Sequence, residues 1–254
     1  MQKQDIDRAA SVLVETRRGR RRLADLPADL QPTSMAEAYA IQDAVVALTG
    51  AVGGWKVAPA GNNPEPRCAP IPAANLHASP ATLATGELLM APEIEVEIAV
   101  RFSKDLPPRT RPYTTDEVTA AIGSIHPALE VLSSRFENRK AVSPLTAIAD
   151  AQSNGSAVFG PALTNWQSVD FSTVGMVLFF DGKQVGQTDG GASNADVFAS
   201  LVWLANSGAV RQGGLKAGQV VITGARIKPV VVPKSGTAVK ADVVGIGSVS
   251  ATVG

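Results

Sequence analysis

The alternation of apolar and polar residues between positions 93 and 100 limits most strongly what this chain can fold into. Every second residue is a branched apolar one: Ile94, Val96, Ile98 and Val100. The positions between them carry Glu93, Glu95, Glu97 and Ala99. Because successive side chains of a strand point to opposite faces, this pattern predicts a β-strand with one apolar face and one acidic face.

The remaining patterns place helices before this strand and mainly strands after it. Ile6, Ala9 and Leu13 repeat at helical spacing, and Ser34 and Gly50 bound a second helical run. Further helices are predicted at 116–122 and 195–206, and strands at 128–132, 156–159, 175–180, 183–188, 220–223, 230–232 and 238–243. We therefore predict an α+β fold, with a helical and small-β region at 1–85 and a largely antiparallel β body at 86–254.

Charge and cysteine content exclude several classes of partner. The 23 basic residues balance the 23 acidic ones, so no general field attracts nucleic acid or an anionic membrane. The basic run at 17–22 ends the first helical pattern, and we interpret it as a solvated or subunit-facing helix end. A single cysteine, Cys68, and the lack of a long apolar stretch favour a cytoplasmic protein. The low charged fraction, 18%, favours a homo-oligomer.

The acidic strand face is a candidate metal site. Glu95 and Glu97 lie on one face with Cα atoms about 6.6 Å apart. Glu130 stands inside an apolar run at 127–132, where a buried carboxylate needs a cation or a raised pKa. Arg135 could be that cation, and the two strand glutamates could simply be solvated. Alternatively, the three carboxylates suit Mg²⁺ or Mn²⁺, which prefer oxygen ligands.

A zinc site is a poor fit to this sequence. The chain has two histidines, His77 and His126, and neither pairs with the cysteine at a ligand spacing. We interpret both histidines as structural hydrogen-bonding groups.

A series of short motifs runs in order along nearly the whole chain. They are Glu-Ala-Tyr-Ala-Ile-Gln at 37–42, Gly-Trp-Lys-Val at 54–57, Glu-Val-Glu-Ile-Ala at 95–99, Pro-Ala-Leu-Glu-Val at 127–131, Ile-Ala-Asp at 148–150, Trp-Leu-Ala-Asn at 203–206, Gly-Leu-Lys-Ala-Gly at 214–218 and Thr-Gly-Ala at 223–225. Together they resemble the 2-keto-4-pentenoate hydratase and 4-oxalocrotonate decarboxylase branch of the fumarylacetoacetate hydrolase superfamily.

The resemblance implies a fold, a metal site and a set of functional residues. The fold would be a fumarylacetoacetate-hydrolase-like mixed β-roll with a small helical N-terminal region. Glu95, Glu97 and Glu130 would hold Mg²⁺ or Mn²⁺, and Lys56 would be the catalytic residue beside it. Glu93 is left as a surface carboxylate. The substrate-binding residues implied by the matching motifs are Asp150, Ser153 and Thr223.

Three motifs depart from the family pattern. Ala149–Ser153 replaces the usual Ala-Asp-Asn-Ala-Ser, so a pocket asparagine is missing unless Asn154 substitutes for it. The residues at 58–61 lack the two hydroxyl groups that usually follow the lysine. Arg226 and Lys228 stand where Leu-Gly is usual, and they could meet a second carboxylate of the substrate or lie in a solvated loop.

The implied activity is a lyase reaction on a small 2-oxo or 2-hydroxy-dienoic acid. The resemblance favours a 2-keto-4-pentenoate-type hydratase of aromatic-compound catabolism. Decarboxylation of a 4-oxalocrotonate-type substrate, hydrolytic cleavage of an acylpyruvate, and a non-catalytic protein that binds an oxo acid remain alternatives. We expect Lys56 to carry the proton, because burial beside a metal can lower a lysine pKa toward neutrality.

Overall fold

The computed structural model describes residues 1–19, 21–84 and 92–254. The helices are α1 Lys3–Gly19, α2 Met35–Thr49, α3 Thr115–Thr119, α4 Pro144–Ala149 and α5 Asn194–Trp203. The strands are β1 Val52–Ala58, β2 Arg67–Pro72, β3 Leu76–Ala78, β4 Ala81–Leu83, β5 Glu93–Phe102, β6 Ile122–Leu132, β7 Asn154–Phe159, β8 Met176–Phe180, β9 Lys183–Thr188, β10 Val220–Ile222, β11 Ile227–Val231, β12 Thr237–Val243 and β13 Gly247–Val253.

The described strands form two mixed sheets. The larger sheet has the order β2-β1-β10-β5-β6-β7-β3, and β11 pairs with β5 beyond the end of β10. The smaller sheet has the order β4-β13-β12-β8-β9. Most pairs are antiparallel, as predicted, while β1–β10, β3–β7 and β4–β13 are parallel. The apolar face of β5 lies in the main hydrophobic core with residues of both sheets, so its acidic face points away from that core.

Several sequence predictions are confirmed. Two helices precede the sheets, and Ser34 caps α2 by accepting a hydrogen bond from the backbone N–H of Glu37. The β8–β9 hairpin turns at Asp181 and Gly182, whose φ angles are +49° and +78°. Such angles suit the tight turn that an Asp-Gly pair predicts.

The prediction for β6 was too short. The strand begins at Ile122 rather than at residue 128, and Pro127 lies within it opposite Ile98. Proline lacks the N–H that a central strand uses for its ladder, so its presence inside this strand is unusual. Its carbonyl nevertheless accepts a hydrogen bond from the backbone N–H of Gly160.

The N-terminal region contributes strands to both sheets. β1 pairs with β10 in the larger sheet, and β4 pairs with β13 in the smaller one. The division into 1–85 and 86–254 therefore does not correspond to separate sheets, and its boundary lies outside the described residues.

The basic run at the end of α1 is in contact with the β body. Arg17 donates a hydrogen bond to the carbonyl oxygen of Gly155 at 2.7 Å. Arg20, a member of the same run, lies outside the described residues. No helix of the described chain is long and apolar enough to cross a membrane.

Candidate metal centre and active site

Three strands of the larger sheet bring the predicted site residues together. Glu95 on β5 lies directly opposite Glu130 on the antiparallel strand β6. Glu97 follows Glu95 on the same face of β5 because side chains alternate along a strand. Lys56 on β1 points to this face as well, while its neighbour Trp55 is buried in the main core, as the alternation predicts.

The three carboxylates form a compact cluster. One oxygen of each residue lies within 4.8 Å of one oxygen of each of the others. Glu130 and Glu97 are 0% and 1% exposed, and Glu95 is half-buried. Such a group of oxygen donors has the hard-ligand chemistry that Mg²⁺ and Mn²⁺ prefer.

One carboxylate oxygen of Glu130 accepts hydrogen bonds from the protein, and the other has no partner among the described residues. Its Oε1 accepts hydrogen bonds from Lys56 Nζ at 2.6 Å and from Asn154 Nδ2 at 2.8 Å. Its Oε2 is buried and has no hydrogen-bond partner among the described residues. A buried, charged and unpartnered oxygen is costly, and a cation would satisfy it. The residues present therefore fit a divalent metal ion.

Glu97 is fixed by the segment that follows β10. Its Oε2 accepts a hydrogen bond from the backbone N–H of Gly224 at 2.6 Å. The adjacent Thr223 is buried and donates its hydroxyl hydrogen to the carbonyl of Ile98 at 2.7 Å. Thr223 thus anchors the Gly224 turn beside Glu97, and its predicted part in substrate binding stays a prediction.

The crowding of these charges shifts their pKa values. Burial, reinforced by the charge of Glu130, raises the pKa of Glu95 to about 7. Burial and both neighbouring carboxylates also raise the pKa of Glu97 well above its ordinary value. The carboxylates outweigh burial at Lys56, so its pKa is raised. Glu130, Glu95 and Glu97 all stabilise the ammonium in this arrangement. The lowered lysine pKa that we expect beside a bound metal ion stays a prediction.

The raised pKa of Glu95 predicts a pH-dependent stability. Between about pH 4.5, the ordinary carboxyl value, and about pH 7, the folded protein keeps a proton that the unfolded chain releases. The free energy of unfolding in EDTA should therefore fall as the pH rises through this interval, by on the order of 2 kcal/mol. Denaturant titrations at pH 5 and pH 8 measure this change. Glu97, whose pKa is also raised, adds to the fall, so Glu95→Gln should reduce the fall without abolishing it. An equal fall in Glu95→Gln would show that another group is responsible.

Arg135 does not pair with Glu130, so that alternative is wrong. Its Nε donates to the carboxylate of Asp150, and its Nη1 donates to the carbonyls of Ser133 and Asn154, both at 2.8 Å. Asp150 is buried, and it also accepts a hydrogen bond from Ser134 Oγ at 3.0 Å. Both carboxylate oxygens of Asp150 are thus engaged within the protein, and its role in substrate binding stays a prediction.

A left-handed turn lies between Asp150 and Asn154. Ala151, Gln152 and Ser153 have φ angles of +50°, +52° and +66°, which non-glycine residues rarely adopt. The turn aims the carbonyl of Gln152 at Lys56 Nζ, 3.3 Å away, and places Asn154 on Glu130. The sequence pattern did not predict this turn, although it named Asn154 as a possible substitute for the missing asparagine. Ser153 belongs to the turn and is buried, and its predicted contact with substrate stays a prediction.

A glycine substitution in this turn should change the free energy of unfolding differently from a glycine substitution in a helix. A left-handed conformation costs an L-residue roughly 1–2 kcal/mol, which glycine avoids at a smaller cost in chain entropy. We expect Ala151→Gly to leave the free energy of unfolding unchanged or to raise it by up to about 1 kcal/mol. The control Ala147→Gly, within α4, should lower it by about 1 kcal/mol. Equal losses in urea titrations of the two variants would contradict the strained turn.

Two residues outside the cluster, His126 and Glu93, have structural partners. The His126 ring lies between Ser124 Oγ and the carbonyl of Gly160, at 2.9 Å from each, as predicted for a structural histidine. Glu93, which we predicted to be a surface carboxylate, is half-buried and pairs with Arg139 at 2.9 Å.

Comparisons with known proteins agree on one family. Residues 38–254 match the family described as fumarylacetoacetate (FAA) hydrolase C-terminal. The 2-keto-4-pentenoate hydratase of Paraburkholderia xenovorans (strain LB400) is 32% identical over 162 residues, which are 64% of this chain and 59% of that protein. The 4-oxalocrotonate decarboxylase of Pseudomonas putida is 33% identical over 164 residues, which are 64% of this chain and 60% of that protein. The matched segment thus spans about three fifths of these curated relatives.

The fold has a solved counterpart over its whole length. The structure of 4-oxalocrotonate decarboxylase from Pseudomonas putida G7, complexed with magnesium and adipate, covers 100% of this chain and 98% of its own, with a TM-score of 0.85. The two sequences are 23% identical, so the likeness concerns the fold. It confirms the mixed β-roll that the motifs implied.

Proposed function

Because the chain belongs to the fumarylacetoacetate hydrolase family, we propose that it is a metal-dependent lyase acting on a 2-oxo or 2-hydroxy-dienoic acid. Within that class we propose a 2-keto-4-pentenoate-type hydratase of aromatic-compound catabolism. One observation carries the proposal: Glu130, in a cluster of three carboxylates, is bonded through one oxygen to Lys56 and keeps the other oxygen free.

Glu95, Glu97 and Glu130 would hold Mg²⁺ or Mn²⁺. When bound, such an ion supplies Lewis-acid polarisation of the 2-oxo group of a chelating substrate. Asn154 and Gly224 hold two of these carboxylates in place, so little of the cluster has to be reorganised when the cation enters. This arrangement uses residues of β5 and β6, which are rigidly paired strands.

Lys56 is the proposed proton carrier between C3 or C5 of the substrate and water. Three carboxylates surround its ammonium in the described structure, and they keep it protonated. A cation bound by the same carboxylates would offset their charge at Lys56, which favours release of a proton from Nζ. Lys56 is more than four-fifths buried and fixed by Glu130 and the carbonyl of Gln152, so its ammonium group is held in one place.

The substrate-binding residues Asp150, Ser153 and Thr223 remain part of the proposal. All three lie in or beside segments that contact the cluster: the left-handed turn behind Lys56 and the Gly224 turn beside Glu97. We propose that their backbones, rather than the engaged side chains of Asp150 and Thr223, shape the substrate pocket.

Decarboxylation of a 2-oxo-enedioate is the second candidate reaction. It uses the same polarised 2-oxo group as an electron sink and needs no water molecule. One observation favours it: the 33% identity to a 4-oxalocrotonate decarboxylase over 64% of this chain.

A product assay distinguishes these reactions. Proton NMR of 2-hydroxy-2,4-pentadienoate, 2-oxo-3-hexenedioate and an acylpyruvate, each with protein and Mg²⁺, should reveal a 4-hydroxy-2-oxo acid from the first substrate for a hydratase. Loss of carbon dioxide from the second would identify a decarboxylase. Cleavage of the acylpyruvate alone, or turnover of none of the three with Mg²⁺ or Mn²⁺, would contradict the proposed lyase.

We also propose that the chain assembles into a homo-oligomer. Val244 and Val231 are 68% and 58% exposed, and Leu48 is also exposed, so large apolar side chains are available for an interface. Light scattering at micromolar concentration should give a mass of at least twice the 26.2 kDa of one chain. A mass near 26 kDa would contradict this.

A further inference from the structure

Arg226 is a buried arginine beside the carboxylate cluster. Its backbone N–H donates to the carbonyl of Val96 at 2.8 Å, which places it next to Glu97 on the neighbouring strand. The residue is 9% exposed. Its Nη1 donates to the carbonyl of Thr223 at 3.0 Å and also to that of Gly224. Gly224 in turn donates to Glu97, so one turn connects the guanidinium with a carboxylate of the cluster.

The other edge of the Arg226 guanidinium is unused. Nε and Nη2 are both buried and have no hydrogen-bond partner within the described part of the chain. The N–H groups of these two nitrogens point the same way, and together they match the two oxygens of a carboxylate. Arginine stays protonated at any working pH, so this edge keeps its positive charge. Leaving it unpaired is unfavourable, and an anionic ligand would satisfy it.

The position of the side chain is fixed by its surroundings. A Cβ atom at Gly191 would lie 2.8 Å from Arg226 Cδ and 3.0 Å from Nε, so only glycine leaves room for the arginine stem. Burial lowers the pKa of Arg226, and the nearby charge of Glu97 opposes this shift, although these two side chains form no ion pair. Lys56 is bonded to Glu130, whereas Arg226 is connected to Glu97. Lys56 therefore contacts Glu130 directly, and Arg226 is linked to Glu97 through the Gly224 turn.

We propose that Arg226 is a specificity-determining residue that binds a second carboxylate of the substrate through its Nε and Nη2 edge. The inference rests on the proposed function, in which the first carboxylate and the 2-oxo group chelate the cation. It assigns the substrate to the class of 2-oxo dicarboxylates. A hydratase substrate would then be a dienoic acid with a second carboxylate, which 2-hydroxy-2,4-pentadienoate lacks, whereas the 2-oxo-enedioate of the decarboxylation already has one.

A matched pair of ligands tests this inference. 2-Oxoadipate and 2-oxohexanoate have the same chain length and differ only in the terminal carboxylate. Calorimetric titration of the Mg²⁺-loaded protein should show 2-oxoadipate binding at least about 10-fold tighter, the scale of one charge-assisted pair. Arg226→Leu should reduce this preference to about 2-fold or less. The ratio of the two affinities within the variant is compared, because a change at the Gly224 turn that holds Glu97 would affect both acids. Arg226→Lys, which keeps the charge but loses the paired donors, should restore only part of the preference.

The control and the contrary outcomes separate the two proposals. Lys228→Met removes an exposed cation two residues away and should keep the full preference. If the wild-type protein binds both acids equally, or if the preference survives in Arg226→Leu, Arg226 does not bind the second carboxylate and the proposed function stands. If the wild-type protein with Mg²⁺ binds neither acid, the proposed function fails and this inference fails with it. Thermal melts check that each variant is folded, and Arg226→Lys decides the question if the leucine variant is not.

Discussion

Replacing Lys56 with alanine should lower kcat by about 1,000-fold, the scale of a lost general acid–base group. Its Nζ lies 2.6 Å from Glu130 Oε1, and the surrounding carboxylates hold it as an ammonium that can give up one proton. Alanine also leaves the buried Glu130 carboxylate without its cation, so a thermal melt must accompany the assay. Lys183→Ala, on the exposed strand β9, is the control and should keep full activity.

Lys56→Arg separates proton transfer from charge. Arginine keeps a positive charge beside Glu130 but holds its proton at any working pH. We expect this variant to stay folded and still to lose at least about 100-fold in kcat. If its kcat stays within about 10-fold of the wild type, Lys56 acts only as an electrostatic clamp and proton transfer belongs to another group.

Glu97→Gln should weaken Mn²⁺ binding and, at the same time, stabilise the metal-free protein. The pKa of Glu97 is raised well above its ordinary value, chiefly by burial and then by Glu130 and Glu95. At pH 8 an uncharged isostere removes this repulsion, which should raise the free energy of unfolding in EDTA by on the order of 2 kcal/mol. The amide oxygen can still accept the hydrogen bond from Gly224. Loss of a charged ligand should weaken Mn²⁺ binding by at least about 100-fold.

The matched control for this experiment is Glu93→Gln. Glu93 lies on the same strand but pairs with Arg139, so its loss should leave Mn²⁺ affinity within about 3-fold of the wild-type value. Calorimetry measures the affinity, and urea titration measures the stability. Equal Mn²⁺ affinities of Glu97→Gln and the wild type would place the metal away from this cluster. If the free energy of unfolding in EDTA is lower for Glu97→Gln than for the wild type, the proposed repulsion of Glu97 by Glu130 and Glu95 is wrong.

The positions of the carboxylates were predictable because they depend on strand periodicity. Two-residue spacing sets Glu95 and Glu97 on one face, and the same alternation separates Trp55 from Lys56. A glutamate inside an apolar run needs a partner, which singled out Glu130. The cross-strand register that sets Glu130 opposite Glu95 could not be read from either strand alone, because register depends on the pairing of distant segments.

The sequence pattern could not identify the partners that come from turns and loops. The sequence offered Arg135 as the cation for Glu130, and Lys56 was not considered for that role, because charge complementarity alone does not choose between cations. The choice depends on the left-handed turn at Ala151–Ser153, whose φ angles no residue type there favours. The same holds for Arg226, for which a solvated loop was the alternative and which the structure buries beside Glu97.

Exchange of the C3 hydrogens of 2-oxopentanoate in D₂O, followed by NMR, tests most directly whether this cluster is a metal-dependent centre for 2-oxo acids. It needs no knowledge of the natural substrate, because an enolate across C2 and C3, through which this exchange proceeds, is common to the proposed reactions. We predict that the wild-type protein with Mg²⁺ accelerates exchange at least about 100-fold over the wild-type protein in EDTA, and that Glu97→Gln with the same Mg²⁺ does not. Equal exchange rates in Mg²⁺ and EDTA, or a wild-type exchange rate in Glu97→Gln, would contradict a metal-dependent centre at this cluster.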